Sequence, residues 1–356
     1  MIGDSLKKLV YRALGFFCFA LGFLGMLNNG AARFHRKVSS KGQLTFPFVQ
    51  RRVFRAFQII TFHGIGDGLT PFLPRLPVET FQAQMEYLVS HFQILELKEA
   101  VCRMKHHDIP ENSIVLTFDD GYRDNYLNAF PILKNLGITA TFFLPTDVIG
   151  TGEILWHDQA CWLIAKTKHK HFEGYGGLGR FSLKTRFDQE IARDGLLLFL
   201  RTLSDLERKQ YIKWLFEVLE VSSEFKENEL MLNWREVQEM HKAGMQFGAH
   251  TLTHPILSKL SIEQAKYEIR ESGKVIQTQL DLDDIELAFA YPSGRKEDYN
   301  NRIKEIVEAE GYYCAVSTVW GANGQEDDLF ELKRMGCDGS DIDSFRLRFC
   351  YHKFCN

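Results

Sequence analysis

Short runs of β-branched and aromatic residues recur along this chain, most of them separated by a stretch long enough for one helix. FQIITFH (57–63), FQILEL (92–97), IVLTF (114–118) and ITATFFLP (138–145) read as strands. Between them, 80–90, 97–110 and 125–136 carry apolar residues at helical spacing, with Thr80 placed to cap the first and Pro110 and Gly137 ending the other two. That order predicts parallel strands with helices outside. The rhythm breaks at about 151–230, where HFEGYGGLGRFS reads as a Gly-rich loop and 196–221 as one long amphipathic helix, together a helical insertion. GYGGLG follows no clear strand and leads to no GK[ST], which argues against a phosphate loop. The rhythm then resumes: a helix at 233–244, the strand MQFGAHT, a helix at 261–280 capped by Ser261, the strand ELAFAYP (286–292), a helix at 299–311, the strand YYCAVST and a last strand in LFELKRMG. Such a series predicts an α/β fold of the (β/α) barrel type, and barrels gather chemistry where strand C-termini meet their loops.

With 356 residues, 45% hydrophobic and 25% charged, the chain is ordinary globular material. Its net charge of -3 offers no basic field for nucleic acid. The one basic concentration lies in the first 55 residues, Lys7, Arg12, Arg36 and Arg52 among them. Seven cysteines without a CxxC pair give neither a disulfide framework nor a thiolate metal site. Ala13 to Leu27 is an uncharged run of 15 residues, short of the roughly 20 that a spanning helix needs. With basic residues before it and Gly30, Ala31 and Ala32 after it, the run fits a signal-peptide core. It fits equally a helix lying in a membrane interface, with the membrane surface as a partner. Membrane association or export is therefore expected ahead of a cytoplasmic place. The expected division is a hydrophobic and basic segment at 1–50, a barrel at 51–345 carrying the insertion at about 151–230, and a tail at 346–356. Oligomeric state is left open.

Polar residues close several of the apolar runs: His63, the pair Asp119–Asp120, the pair His250–His254, Tyr291 and Arg334. Two imidazoles and a carboxylate form a common three-ligand zinc site with a position open for water. If the chain turns helically after its strand, His250 and His254 share one face. Alone, such a pair is more often decoration, and Asp119–Asp120 alone fits a solvated turn. Their joint presence at strand ends favours a metal centre.

LTFDDGYRDN (116–125) together with FGAHTLTHPILSKLS (247–261) resembles the polysaccharide deacetylase family, the NodB-homology or carbohydrate esterase family 4 enzymes. The T-F-D-D-G and H-[ST]-x-x-H motifs match residue for residue, with Thr251 in the [ST] place, and the resemblance covers about 57–340. It implies a distorted (β/α) barrel and metal-dependent removal of N- or O-acetyl groups from sugars. By position it makes Asp119 the general base and Asp120, His250 and His254 the ligands of a divalent ion, zinc first, cobalt or nickel as alternatives. A cation polarises the acetyl carbonyl and acidifies the attacking water, while a free carboxylate takes the water's proton. One carboxylate cannot fill both posts.

The chain departs from the family twice. Where many members carry a late L-x-H motif whose His is the general acid, it has Leu332-Lys333-Arg334, and arginine does not release its proton at working pH. Some relatives in exopolysaccharide modification use a His at the end of the first strand instead, which implies His63; the alternative is a structural His at the barrel mouth. Where members often carry R-x-P-[YF], position 290 is Ala, so Arg295 or Arg334 is left to tether the base. Tyr291 and Pro292 are expected to shape the substrate pocket, with the Tyr291 amide as an oxyanion donor. Trp320 is expected to wall the acetyl methyl or to sit in the core. His157, beside Asp158, is either a substrate-rim or a helix-surface residue; His106, His107, His169 and His171 read as solvated. The leading expectation is a metal-dependent N-deacetylase acting on an acetylated polysaccharide or lipid-linked oligosaccharide. An O-acetyl esterase on the same scaffold and a non-catalytic glycan-binding barrel are the alternatives.

Overall fold

Phe57–Phe62 (β1) pairs in parallel with Ser113–Phe118 (β3) along its whole length, Phe57 opposite Ser113 and Phe62 opposite Phe118. Around this pair the computed structural model sets Thr141–Leu144 (β4), Gln246–Ala249 (β7), Ala288–Ala290 (β8) and Cys314–Val316 (β9), with Met335–Gly336 (β10) on the far side of β1. The order is β10-β1-β3-β4-β7-β8-β9, and every neighbouring pair is parallel. Gln93–Ile94 (β2) adds to the start of β3. The chain before β10 closes the ring: Leu332 donates to the Ala315 carbonyl and accepts from the Ser317 amide, while Met335 lies opposite Ile60. The result is a distorted parallel (β/α) barrel. The described residues are 56–66, 75–225, 230–282, 287–337 and 341–346. The expectations for the 1–50 segment and for nearly all of the 346–356 tail lie outside them.

Strand alternation sorts the core. Ile60, Phe62, Leu116, Phe118, Phe142 and Phe289 belong to the larger apolar cluster, shared with the helices. Residues of the other parity, among them Phe57, Ile59, Val115, Phe143, Ala290 and Val316, form a second cluster. Period-two geometry continues that second set upward to Thr61 and His63, Thr117 and Asp119, His250, and Arg334. The parity that fills the barrel with apolar groups thus delivers polar groups to its upper end. Gly248 is needed there, because a Cβ would lie 2.5 Å from the Phe143 ring and 2.7 Å from the Ala288 carbonyl oxygen.

The outer helices are Val78–His91 (α1), Leu97–Lys105 (α2), Phe130–Leu136 (α3), Trp234–Lys242 (α7), Ile262–Leu280 (α8) and Asn301–Ala309 (α9). Ser261 caps α8 in a capping box with Gln264. Thr80 does not cap α1: the helix starts at Val78 after Pro77, whose fixed φ suits a helix entry. The 125–136 stretch begins as a π-turn at Asn125–Ala129 before becoming α3. Only Met335–Gly336 of LFELKRMG is strand.

Between β4 and β7 lie Trp156–Lys166 (α4), a hairpin of His171–Gly174 (β5) and Gly179–Ser182 (β6), Arg186–Leu200 (α5) and Asp205–Val218 (α6). They share a cluster built on Leu163, Phe172, Leu196, Leu200, Tyr211 and Leu215. Two readings of this region change. The Gly-rich stretch is a β-hairpin, whose turn uses Gly176 and Gly177 at φ 69 and 95. The long 196–221 helix breaks into α5 and α6, because Ser204 and Glu207 form a capping box. The S-x-x-E signal stood in the sequence, masked by the continuous apolar spacing around it.

Candidate active site

Asp119 and Asp120 leave β3 in different directions. Strand parity turns Asp119 inward, and its amide donates to the Phe62 carbonyl at 3.0 Å. Arg334 grips its carboxylate through both terminal nitrogens, Nη1 to Oδ1 at 2.8 Å and Nη2 to Oδ2 at 2.6 Å. The guanidinium is held in turn by the Ser317 carbonyl, 2.7 Å from Nε, and by the hydroxyls of Thr61 and Thr117 at 3.2 Å. Burial pushes the Asp119 carboxyl up, but Arg334, joined by His250 and His63, offsets burial and holds it below the ordinary carboxylate value. At Asp120 the backbone flips to φ 71, followed by Gly121 at φ 67, which swings the second carboxylate away from Arg334.

His250 and His254 are not on a helical turn. Thr251 and His254 adopt φ 67 and 57, unusual for residues other than glycine and costly for a β-branched one. The loop is over-determined: Glu268 accepts from the amides of Leu252 and Thr253 at 2.9 and 3.0 Å, and the Thr251 hydroxyl accepts from the His254 amide at 3.0 Å. Nδ1 of His250 lies 2.7 Å from the Ala290 carbonyl, so that nitrogen carries the proton and Nε2 presents its lone pair to Asp120. Oδ1 of Asp120 is 3.7 Å from Nε2 of His250 and 3.3 Å from Nε2 of His254. Burial would raise the Asp120 carboxyl, yet His254 and the other nearby imidazoles hold it well below its usual value. Burial pushes His250 down to about 4, so the ring is neutral at neutral pH.

These residues fit a divalent cation. One ligand atom from each of Asp120, His250 and His254 lies within 4.8 Å of the others, all three residues are buried, and Nδ1 of His254 has no hydrogen-bond partner. A two-imidazole, one-carboxylate donor set suits zinc. The pocket beside them measures about 430 Å³ and is lined by His63, Asp119, Ser293, Arg295, Thr318 and both imidazoles. The insertion supplies the rest of the wall: Trp156, His157, Asp194, Leu197, Leu198 and Arg201.

The family model for polysaccharide deacetylases matches residues 106–172 and 199–315, just over half of the chain. The chain belongs to the polysaccharide deacetylase family. A deacetylase of this family is a hydrolase that removes acetyl groups from a polysaccharide. Among its relatives, YxkH of Bacillus subtilis is 24% identical over 279 residues, covering 78% of this chain and 70% of that protein. A Staphylococcus epidermidis poly-beta-1,6-N-acetyl-D-glucosamine N-deacetylase is 38% identical over 74 residues, only 20% of this chain and 26% of its own. The fold is that of the Streptococcus pyogenes deacetylase PplD in complex with acetate (TM-score 0.57, 19% identity, 83% of this chain and 98% of that one). IcaB from Ammonifex degensii shares it as well (TM-score 0.54, 17% identity, 83% and 97%).

Within this deacetylase the structure brings six of the expected residues to one pocket, His63, Asp119, Asp120, His250, His254 and Arg295, and keeps four others out of it. Arg334 is fully buried and bound to Asp119, which makes it the tether and removes it as a substrate contact. Tyr291 packs in the core on Tyr299, its hydroxyl donating to the Phe330 carbonyl. Its amide donates to Val316 within the sheet, so it is not a spare oxyanion donor. Pro292 does not line the pocket, and Trp320 is half exposed outside it. Of the two readings for His157, helix surface fails: the residue lines the pocket wall, is 7% exposed, and its Nε2 lies 3.6 Å from Oδ2 of Asp120. Burial pushes it down to about 3. Sequence reasoning missed Trp156, Ser293, Thr318 and the α5 residues. Nothing local marks them, because each reaches the pocket through the packing of separate elements.

Proposed function

We propose that the chain removes N-acetyl groups from a polysaccharide or lipid-linked oligosaccharide, with a divalent cation on Asp120, His250 and His254, Asp119 as base and His63 as acid. One observation above the others supports this reading: two adjacent buried carboxylates have separate partners, Arg334 for one and two imidazoles for the other. The name of the Staphylococcus epidermidis relative supports an N-acetylglucosamine polymer as the substrate class. A cation bound there supplies Lewis acidity toward the acetyl carbonyl and the attacking water, zinc by preference, with cobalt or nickel able to serve. Asp119, kept ionised by Arg334, takes the water's proton. His63, on the pocket wall at the end of β1, gives a proton to the leaving amine. The apolar and basic N-terminal segment supports work at a membrane or outside the cell.

The test is acetate release from N-acetylglucosamine oligomers before chelation, after it, and after Zn²⁺ is restored. Loss and recovery are expected; release that survives exhaustive chelation sinks the cation assignment. His63→Ala should slow amide substrates far more than acetyl esters, because an alkoxide leaves with less help than an amine. Equal slowing would remove the acid role.

A further inference from the structure

His157 stands on the insertion, yet its ring reaches the carboxylate assigned above to the cation. Asp120 divides its oxygens: Oδ1 faces Nε2 of His254 and His250, at 3.3 and 3.7 Å, and Oδ2 faces Nε2 of His157 at 3.6 Å. The same His157 nitrogen meets two more oxygens, the Tyr122 hydroxyl at 3.1 Å and Oδ2 of Asp158 at 3.6 Å. The Tyr122 hydroxyl donates to Oδ2 of Asp158 at 3.0 Å, so it turns a lone pair toward His157. In that arrangement Oδ2 of Asp158 is an acceptor as well. A nitrogen ringed by three acceptors carries the proton, since its lone pair would otherwise face only lone pairs. An Nε2 that carries a proton is not a metal ligand, because ligation needs its lone pair.

We propose that His157 is a positioning residue for the cation site: its Nε2–H holds Oδ2 of Asp120, so that the carboxylate presents Oδ1 alone to the ion. At 3.6 Å the contact is electrostatic rather than a full hydrogen bond. Its neighbours on the first turn of α4 act in the same sense. Trp156 donates through Nε1 to the His254 carbonyl at 3.1 Å, and Asp158 anchors Tyr122, two residues beyond Asp120. Three consecutive insertion residues, Trp156-His157-Asp158, therefore brace the loops that carry Asp120 and His254. Outer groups of this kind orient ligands, and their removal typically weakens metal binding about 10–100-fold.

This proposal rests on the ligand assignment above, and the test separates the two. Zn²⁺ affinity is measured by chelator competition, and the visible absorption of the Co²⁺-loaded protein is recorded, for wild type, His157→Leu, His157→Gln and Asp120→Ala. His157→Leu should bind Zn²⁺ about 10–100-fold more weakly and change the Co²⁺ spectrum. His157→Gln, which returns an N–H at similar reach, should recover to within a few-fold, and Asp120→Ala should lose the ion. Wild-type affinity and spectrum in His157→Leu would overturn the proposal. So would loss as complete as in Asp120→Ala, which marks a direct ligand, or a Gln variant no better than Leu, which marks mere packing. Should His157→Leu fail to fold, the Gln variant decides alone: the proposal stands if its affinity stays within a few-fold of wild type and falls if it does not. A wild-type chain that binds no Zn²⁺ overturns the ligand assignment, and this proposal with it.

Discussion

Asp119, Asp120 and His250 stand just beyond barrel strands and Arg334 just before one, whereas Trp156, His157 and Asp158 open the first helix of the insertion; the two groups meet at Asp120 and His254. Strand pairing sets the first group. Register places Thr61 opposite Thr117, and both hydroxyls then reach the guanidinium that holds Asp119. The second group arrives by docking. Its elements have their own apolar cluster and reach the barrel through side chains such as Arg201, which clasps both oxygens of Asp298 at 2.8 Å. The barrel side is therefore expected to carry the chemistry and much of the stability, and the insertion side to tune cation and substrate.

The largest effect should come from the barrel. Asp120→Ala should abolish cation binding and cut acetate release by about 10³-fold or more, the scale of several kcal/mol of transition-state stabilisation. Zinc content and release kinetics check it, and a variant that keeps both would break the division at once.

Arg334→Met should come next, as a stability change. It leaves the Asp119 carboxylate buried and unpaired, a loss of about 3–5 kcal/mol that denaturant unfolding would register. Its pH dependence has a definite sign. Arg334 depresses the folded-state pKa of Asp119, so the stabilisation is present above the unfolded value of about 3.9 and is lost as pH falls through the folded one. The gap between wild type and variant should therefore be full near neutrality and close in acid. A gap that stays constant down to the acid limit would mean that Arg334 stabilises by packing alone.

Arg201→Ala, on the insertion side, should be milder: about 1–3 kcal/mol of stability, a several-fold rise in KM for acetylated oligomers and unchanged Zn²⁺ affinity. Loss of Zn²⁺ affinity in that variant would show that the insertion's docking as a whole, rather than its first turn, governs the ion site.

The sequence carried the barrel legibly, since strand and helix periods are local and each polar residue that ends a strand follows from parity. It carried His250 and His254 as a pair but not their geometry. A helical turn would present both rings, yet the loop presents them through positive φ at Thr251 and His254, stabilised by Glu268, a residue on α8. It offered Arg295 and Arg334 equally as the tether, and only barrel closure separates them, by bringing Arg334 across to Asp119.

The amino-acid order by itself determined the alternating barrel, the strand-end carboxylates and imidazoles, and the break in rhythm where the insertion enters. Each is written in residues close together along the chain. Tertiary structure alone decided that Arg334 tethers Asp119, that Tyr291 belongs to the core, and that a histidine on the insertion comes within 3.6 Å of Asp120. The bonds of Arg334 to Asp119 and of Tyr291 to Phe330, and the approach of His157 to Asp120, join residues tens to hundreds of positions apart. Their geometry depends on how the ring closes and how the insertion docks, which no local period encodes.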